Sequence, residues 1–403
     1  MNFSIVHRVA RLFVAITVGV LLFLTARTAE AYPWMLRHEY TGCAQCHVDP
    51  SGAGLLTLYG RAQSEVLLRS HYTAGSAEED PVLGGFVFGA IPLPEKGFRA
   101  QVDARAMMMR VAPPAPAPVV TRTILMQADA MVGVELPSVR GAAQIGYVHE
   151  GALAASVTHG LNDRVVSRQH WLGITLDSDD QVLARAGRMN LPFGLRILEH
   201  TMAVRSETRT DINAAQQHGV AVGYSGEKIR GEAMAVLGNF QLSPDDLRER
   251  GYAGYAELVA SPTTVVGASS MILHTDYDLA AGAPSFRQAH GIFGRMAIAK
   301  PLVVMAETDL LVRSPRRQVL TTGLAGLLQA DFEPWQGLHF IGSGELVDRT
   351  LSREPVSYGA WLSTQWFFLP HVDVRFDFIW QSVAQSATRS DVTTLLGQIH
   401  AFL

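Results

Sequence analysis

Cysteine is almost absent. The chain of 403 residues has two, Cys43 and Cys46, too few for the disulfide framework that staples small secreted domains. Charge is also scarce: charged residues make up 17% and the formal net charge is −4. With no basic excess to neutralise phosphates, nucleic acid is excluded as a partner. The chain has no Gly-rich phosphate loop, no G-x-S-x-G elbow and no H-E-x-x-H pair, which removes the usual nucleotide, hydrolase and zinc-protease chemistries. Hydrophobic residues reach 48%, yet no run suits a mature membrane-spanning helix, which needs about 20 residues. The apolarity is spread through alternating segments.

The first segment stands apart. His7, Arg8 and Arg11 give a basic start, residues 12–26 are apolar, and Ala29-Glu30-Ala31 is a small-x-small site. This is the three-part layout of a secretory signal peptide over residues 1–31, with the mature chain starting near Tyr32, outside the cytoplasm. The apolar stretch is short for an anchor.

From residue 98 to the end, polarity alternates with period two, which is the pattern of strands. Val372, Val374, Phe376, Phe378 and Trp380 face one way; His371, Asp373, Arg375 and Asp377 face the other. Residues 302–313 repeat the split, with Glu307, Asp309 and Arg313 on the polar face. Residues 123–136 read as a strand with Ile124, Met126, Ala128, Ala130, Val132, Val134 and Leu136 on one face. Such strands exceed the usual five or six residues and suit a tilted membrane strand of about 9–11. Seven tight joints alternate with eight longer connections, hence sixteen strands, and short turns on one side with longer loops on the other mark an outer-membrane barrel. The expectation is an all-β, antiparallel barrel of about 16 strands over residues 98–403, with both ends on the periplasmic side. A soluble β-sandwich or β-solenoid would also alternate, but needs neither this rhythm of connections nor apolar faces this continuous. The chain closes on Leu395, Gly397, Ile399, Ala401 and Leu403 opposite Gln398 and His400, with Phe402 next to last.

The two cysteines and the next residue read Cys43-Ala44-Gln45-Cys46-His47, the C-x-x-C-H attachment signature of c-type haem. Two thiols three residues apart can each form a thioether to a vinyl group, and the adjacent imidazole reaches the iron as proximal ligand. A thioredoxin-type site would need a βαβ context, and a zinc site a second ligand pair; neither is visible. One covalent haem c on Cys43, Cys46 and His47 is therefore expected in a small, mainly helical or irregular segment over residues 32–97. Met35, His38 and His71 lie in the same segment, with His71 and then His38 the candidates for the second axial position. Leu55, Tyr59, Ala62 and Val66 share one face of a helix expected to pack on the haem. The apolar, Gly-rich residues 82–92 are expected to tuck against the barrel wall.

The third long connection, about residues 190–215, carries Arg196, Glu199, His200, Arg205, Glu207, Arg209 and Asp211. It reads either as a solvated external loop or as an inward-folded, charged pore constriction, with Arg196, Glu199, His200, Arg205 and Arg209 as its candidates. Residues 185–196 also resemble a segment of anion-selective and related large porins.

Taken together, Ala31-Tyr32-Pro33, Thr41-Gly42, the C-x-x-C-H motif, Gly60-Arg61 and a porin-sized barrel resemble the fused outer-membrane monohaem cytochrome–porins, best known from bacteria that oxidise ferrous iron at the cell surface. The resemblance implies a haem segment in the lumen or at its periplasmic mouth, in the outer membrane of a Gram-negative bacterium. It implies electron transfer between an extracellular donor or acceptor, such as ferrous iron, and a periplasmic c-type cytochrome or other carrier, which would make the chain a ferrous-iron:cytochrome oxidoreductase. Two other readings stand beside it: a passive porin with a haem-bearing gate, sensor or docking domain, and a barrel subunit of a larger porin–cytochrome complex.

Overall fold

The computed structural model describes residues 33–52, 54–71, 86–87, 89–92, 97–147, 164–197, 199, 201–279, 281–315, 319–351, 355–385 and 388–403. The segment read as a signal peptide, residues 82–85 and 88 of the apolar, Gly-rich stretch, and His200 lie outside them. Sixteen antiparallel strands close into one barrel. They are β1 (Gly97–Ala112), β2 (Val120–Glu135), β3 (Val139–Tyr147), β4 (Val165–Thr175), β5 (Val182–Met189), β6 (Gln217–Ser225), β7 (Ile229–Gly238), β8 (Arg250–Ser261), β9 (Thr264–Asp278), β10 (Ala283–Ala299), β11 (Leu302–Pro315), β12 (Thr321–Trp335), β13 (Leu338–Asp348), β14 (Ser357–Leu369), β15 (Val372–Gln385) and β16 (Thr388–Phe402). β16 returns to β1 in the register Ala104↔Ala401, so no edge strand is left to aggregate.

The alternation is that of a globular protein turned inside out. Phe376 is 62% and Leu362 64% exposed on the outer face, while Glu307 is 1% and Asp309 0% exposed on the inner one. Outward aromatics gather at both ends: Tyr252, Tyr277, Phe286 and Tyr358 beside the long loops, and Phe332, Trp335, Phe340 and Trp366 beside the short turns. These are the two girdles of a transmembrane barrel.

In β2 the single expected face is broken. The pairing steps from Arg105↔Gln127 to Ala106↔Leu125, leaving Met126 as an extra residue. A bulge of this kind reverses which side chains point in, so Leu125 and Val132 are both exposed while Asp129 and Met131 are buried.

The lumen is filled by two pieces. One is the N-terminal segment, with a 3-10 helix (Pro33–His38) and α1 (Leu58–Leu67); the other is the connection between β5 and β6, which contains α2 (Ala203–Thr208). The first enters at the short-turn mouth, where the Ser70 amide donates to the Phe367 carbonyl over 2.8 Å and His371 meets Ser64 and Glu65 at 3.3 and 2.9 Å. Burial, opposed by Glu65, holds the imidazole of His371 below its usual pKa.

Candidate functional site: the C-x-x-C-H segment in the barrel lumen

The motif forms one tight turn. The amides of Cys46 and His47 both donate to the Cys43 carbonyl, at 3.1 and 2.9 Å, which gathers thiols and imidazole locally. Thr57 ties this turn to α1: its hydroxyl donates to the Gln45 carbonyl at 2.8 Å and accepts from the Gly60 amide at 2.9 Å. A Cβ on Gly60 would overlap the Cys46 carbonyl, and one on Gly52, at φ +83°, would lie 3.0 Å from the Cys43 sulfur. Glycine at both places permits the close approach.

That contact also decides which face of α1 turns inward. Gly60, Gln63, Ser64 and Leu68 line the cavity beside the motif. Tyr59 and Val66, expected to pack on the haem, are 46% and 42% exposed instead. Backbone approach through Gly60 outweighs the weak apolar stripe.

The segment is held by ion pairs with the inner wall. Arg37 pairs with Asp331 and, at 2.9 Å, with Glu333. Two residues after the motif, Asp49 lies 2.8 Å from Arg185, which also reaches Glu232 at 2.7 Å. Burial pushes the Cys43 thiol up, against the lowering field of Arg295.

Cys43, Cys46 and His47 line one cavity of about 150 Å³ together with Met35, Leu68, His400 and Phe402. The two thiols are not joined to each other. In kind, these donors fit a covalent haem: two thiols, one imidazole and an apolar rim. In size, the cavity is below the roughly 300–1,000 Å³ of a typical small-molecule site. It shares Cys43 and Arg196 with a neighbouring chamber of about 130 Å³, and shares Arg105, Gln127, Asn213 and His400 with an outer vestibule of about 900 Å³. A macrocycle held here would draw on that adjoining space.

The two histidines named for the second axial position stand outside this cavity. His71 is exposed, with Nε2 3.2 Å from the Val66 carbonyl, and His38 lies 3.8 Å from Glu333. Met35 and His400 do line it. Met35 was visible as a neighbour of the motif. His400 and Phe402 arrive from the far end of the chain through barrel closure, which no local pattern announces.

The third connection folds inward against the barrel wall. Phe193, Leu195, Met202 and Val204 are wholly buried. Glu307 accepts from the Leu195 amide at 2.8 Å and from Arg205, and Glu345 accepts from the Ala203 amide at 2.9 Å. Gly194, at φ +61°, leaves no room for a Cβ against Glu307. The charged candidates do not form one ring. Arg196 lines the motif cavity, Glu199 pairs with Arg375 at 2.6 Å, Arg205 pairs with Glu307, and Arg209 reaches Asp278 at 2.9 Å on the vestibule side. Burial opposes ionisation of Glu199, but Arg375 outweighs it and holds the carboxyl below its usual range.

A closed antiparallel barrel with an apolar belt, aromatic girdles, a charged lumen and an inward third connection has the porin-type outer-membrane barrel fold. Solved structures agree. OmpT, an outer membrane protein of Vibrio cholerae, superimposes with a TM-score of 0.58 at 10% identity, over 77% of this chain and 100% of that one. The anion-selective porin from Comamonas acidovorans gives 0.58 at 9%, over 76% and 99%. The outer membrane channel DcaP of Acinetobacter baumannii gives 0.52 at 8%, over 75% and 97%. At these identities the likeness is one of fold. No family model matches the sequence, and no curated protein matches it.

Proposed function

We propose that the chain is an outer-membrane barrel whose lumen is occupied by its own monohaem segment, so that electrons rather than solutes pass. The observation that carries this reading is the placement of Cys43, Cys46 and His47 inside the barrel, near the short-turn mouth, on a cavity that adjoins the outer vestibule through Arg105, Gln127, Asn213 and His400. Short turns face the periplasm in barrels of this type, which puts the segment within reach of a periplasmic c-type cytochrome or similar carrier. Cys43 and Cys46 would hold the haem by thioethers and His47 by the proximal bond; when bound, it supplies a one-electron carrier whose potential is set by its second ligand and its burial. Met35 would be the cavity residue able to offer the second ligand, since both ring nitrogens of His400 are taken by Asp103 and Asp373. The chain's own contribution is to hold that group at depth and keep water out: Arg37 and Asp49 fasten the segment, and Glu307, Glu345 and Arg375 fasten the third connection above it. Ferrous iron is the external donor that the resemblance to cytochrome–porins points to.

A second reading is a channel gated by this segment. The open outer vestibule of about 900 Å³ and the porin likeness favour it. Proteoliposomes separate the two. Reduction of enclosed ferricyanide by an external reductant, with no sugar influx, supports the conduit. Sugar influx with no reduction of the enclosed acceptor overturns it.

A further inference from the structure

The lumen arginines are matched to carboxylates with few exceptions. Arg37, Arg168, Arg185, Arg205, Arg295 and Arg375 each pair with an Asp or Glu. Two arginines on the motif cavity are different. Arg105 on β1 makes no ion pair among the described residues, and its buried Nε has no hydrogen-bond partner. Its Nη2 lies 3.4 Å from His400 Nε2. That ring already faces Asp103 at 2.8 Å and Asp373 at 2.9 Å through its two nitrogens. With both nitrogens facing carboxylates, both donate, and Arg105 gains no acceptor from the ring. Arg196, on the third connection, donates through Nη1 to the Ser51 carbonyl and stacks 5.3 Å over Tyr255. Its Nε is likewise buried without a partner.

Both guanidiniums line the cavity that contains Cys43, Cys46 and His47. Asp103, the carboxylate on the same wall, lies in the field of Arg105 but makes no direct pair with it, being hydrogen-bonded to His400 instead. Arg188 also makes no ion pair among the described residues, but it uses its donors on Asn239 and the Arg168 carbonyl and does not line the cavity. Burying part of a guanidinium without an anion is costly, and guanidinium is the side chain best shaped for carboxylate. A haem brings two carboxylates, its propionates.

We propose that Arg105 and Arg196 anchor the two propionates of the haem that Cys43, Cys46 and His47 would hold. The inference rests on the haem reading above. One anchor sits on the barrel wall and the other on the third connection, so the cofactor would tie the plug, the wall and the loop together.

The test is the reduction potential of the full-length protein at pH 7, with haem content read separately by absorbance. A cation beside the haem favours the reduced, less positive form. Arg105→Gln and Arg196→Gln should therefore each lower the equilibrium constant for reduction about tenfold, equal to 59 mV for a one-electron couple. Arg105→Lys and Arg196→Lys should recover most of it, and Arg110→Gln, exposed on the same strand, should change nothing. Glutamine variants that lose haem while the lysine variants keep it also support the proposal, because lysine restores the positive charge without the shape of the guanidinium. Unchanged potentials in both haem-loaded glutamine variants overturn it, as does loss of haem from all four variants. Absence of haem from the unaltered protein is a separate failure: it removes the functional reading and this inference with it.

Discussion

Replacing Arg185 by Met tests whether the N-terminal segment is fastened inside the barrel by buried charge. The Arg185 side chain is 1% exposed and bridges Asp49, 1% exposed, to Glu232, 2% exposed. Its guanidinium also lies 5.0 Å over the Trp171 ring. Methionine keeps much of the aliphatic volume but leaves two buried carboxylates facing each other without a cation. Removing one partner of a buried pair costs about 3–5 kcal/mol, and the lost cation–π contact adds about 0.5–2 kcal/mol. A weakening near 4 kcal/mol corresponds to roughly a thousandfold at 1.4 kcal/mol per tenfold. The strands keep their ladders, so the loss falls on docking of the segment rather than on the barrel. Sugar influx into proteoliposomes should rise, with the barrel still folded by circular dichroism. The triple variant Arg185→Met, Asp49→Asn, Glu232→Gln should recover most of the seal, since no buried charge is left unpaired. Influx at the unaltered rate in Arg185→Met would show that this buried charge does not fasten the segment.

Three further outcomes are expected. Glu307→Gln removes the carboxylate that holds Arg205 and reduces the acceptor for the Leu195 amide; the third connection should loosen by about 3–5 kcal/mol, read as larger single-channel conductance, and unchanged conductance contradicts it. Glu199, Glu207 and Glu249 are each held below the usual range by arginines that outweigh burial. Their contribution is therefore present above about pH 4.3 and lost as pH falls through the lower folded values; protease cleavage of the third connection should rise only on acidification, and cleavage that is flat down to pH 3 counts against these anchors. Gly60→Ala drives a Cβ into the Cys46 carbonyl, an overpacking cost of about 1–3 kcal/mol that should lower the yield of haem-loaded protein with the barrel intact; equal yield contradicts the close contact.

Much of the barrel is legible in the sequence because membrane strands obey one local rule. Asp373, Arg375 and Asp377 alternate with Phe376 and Phe378, and the structure buries the first set in the lumen and exposes the two phenylalanines. The rule fails where one residue is added: the extra Met126 reverses the faces of β2, and nothing in the composition of residues 123–136 marks the spot. The motif turn is legible because its chemistry is carried by five consecutive residues. The remaining cavity wall is assembled across the chain: Arg105 from β1, Arg196 from the third connection, His400 and Phe402 from β16. Those neighbours follow from barrel closure and from where the third connection folds, and both are long-range properties. Helix α1 shows the same limit, since a glycine contact rather than the apolar stripe selects its inner face.

The proposed function stands on the solitary C-x-x-C-H motif holding a covalent haem inside the barrel. The most direct measurement is the intact mass, with absorbance spectrum, of the exported full-length protein after denaturation. One haem that survives denaturation is expected, with its loss, the barrel still folded, in Cys43→Ala, Cys46→Ala. A chain that leaves the membrane with both thiols free and no haem contradicts it.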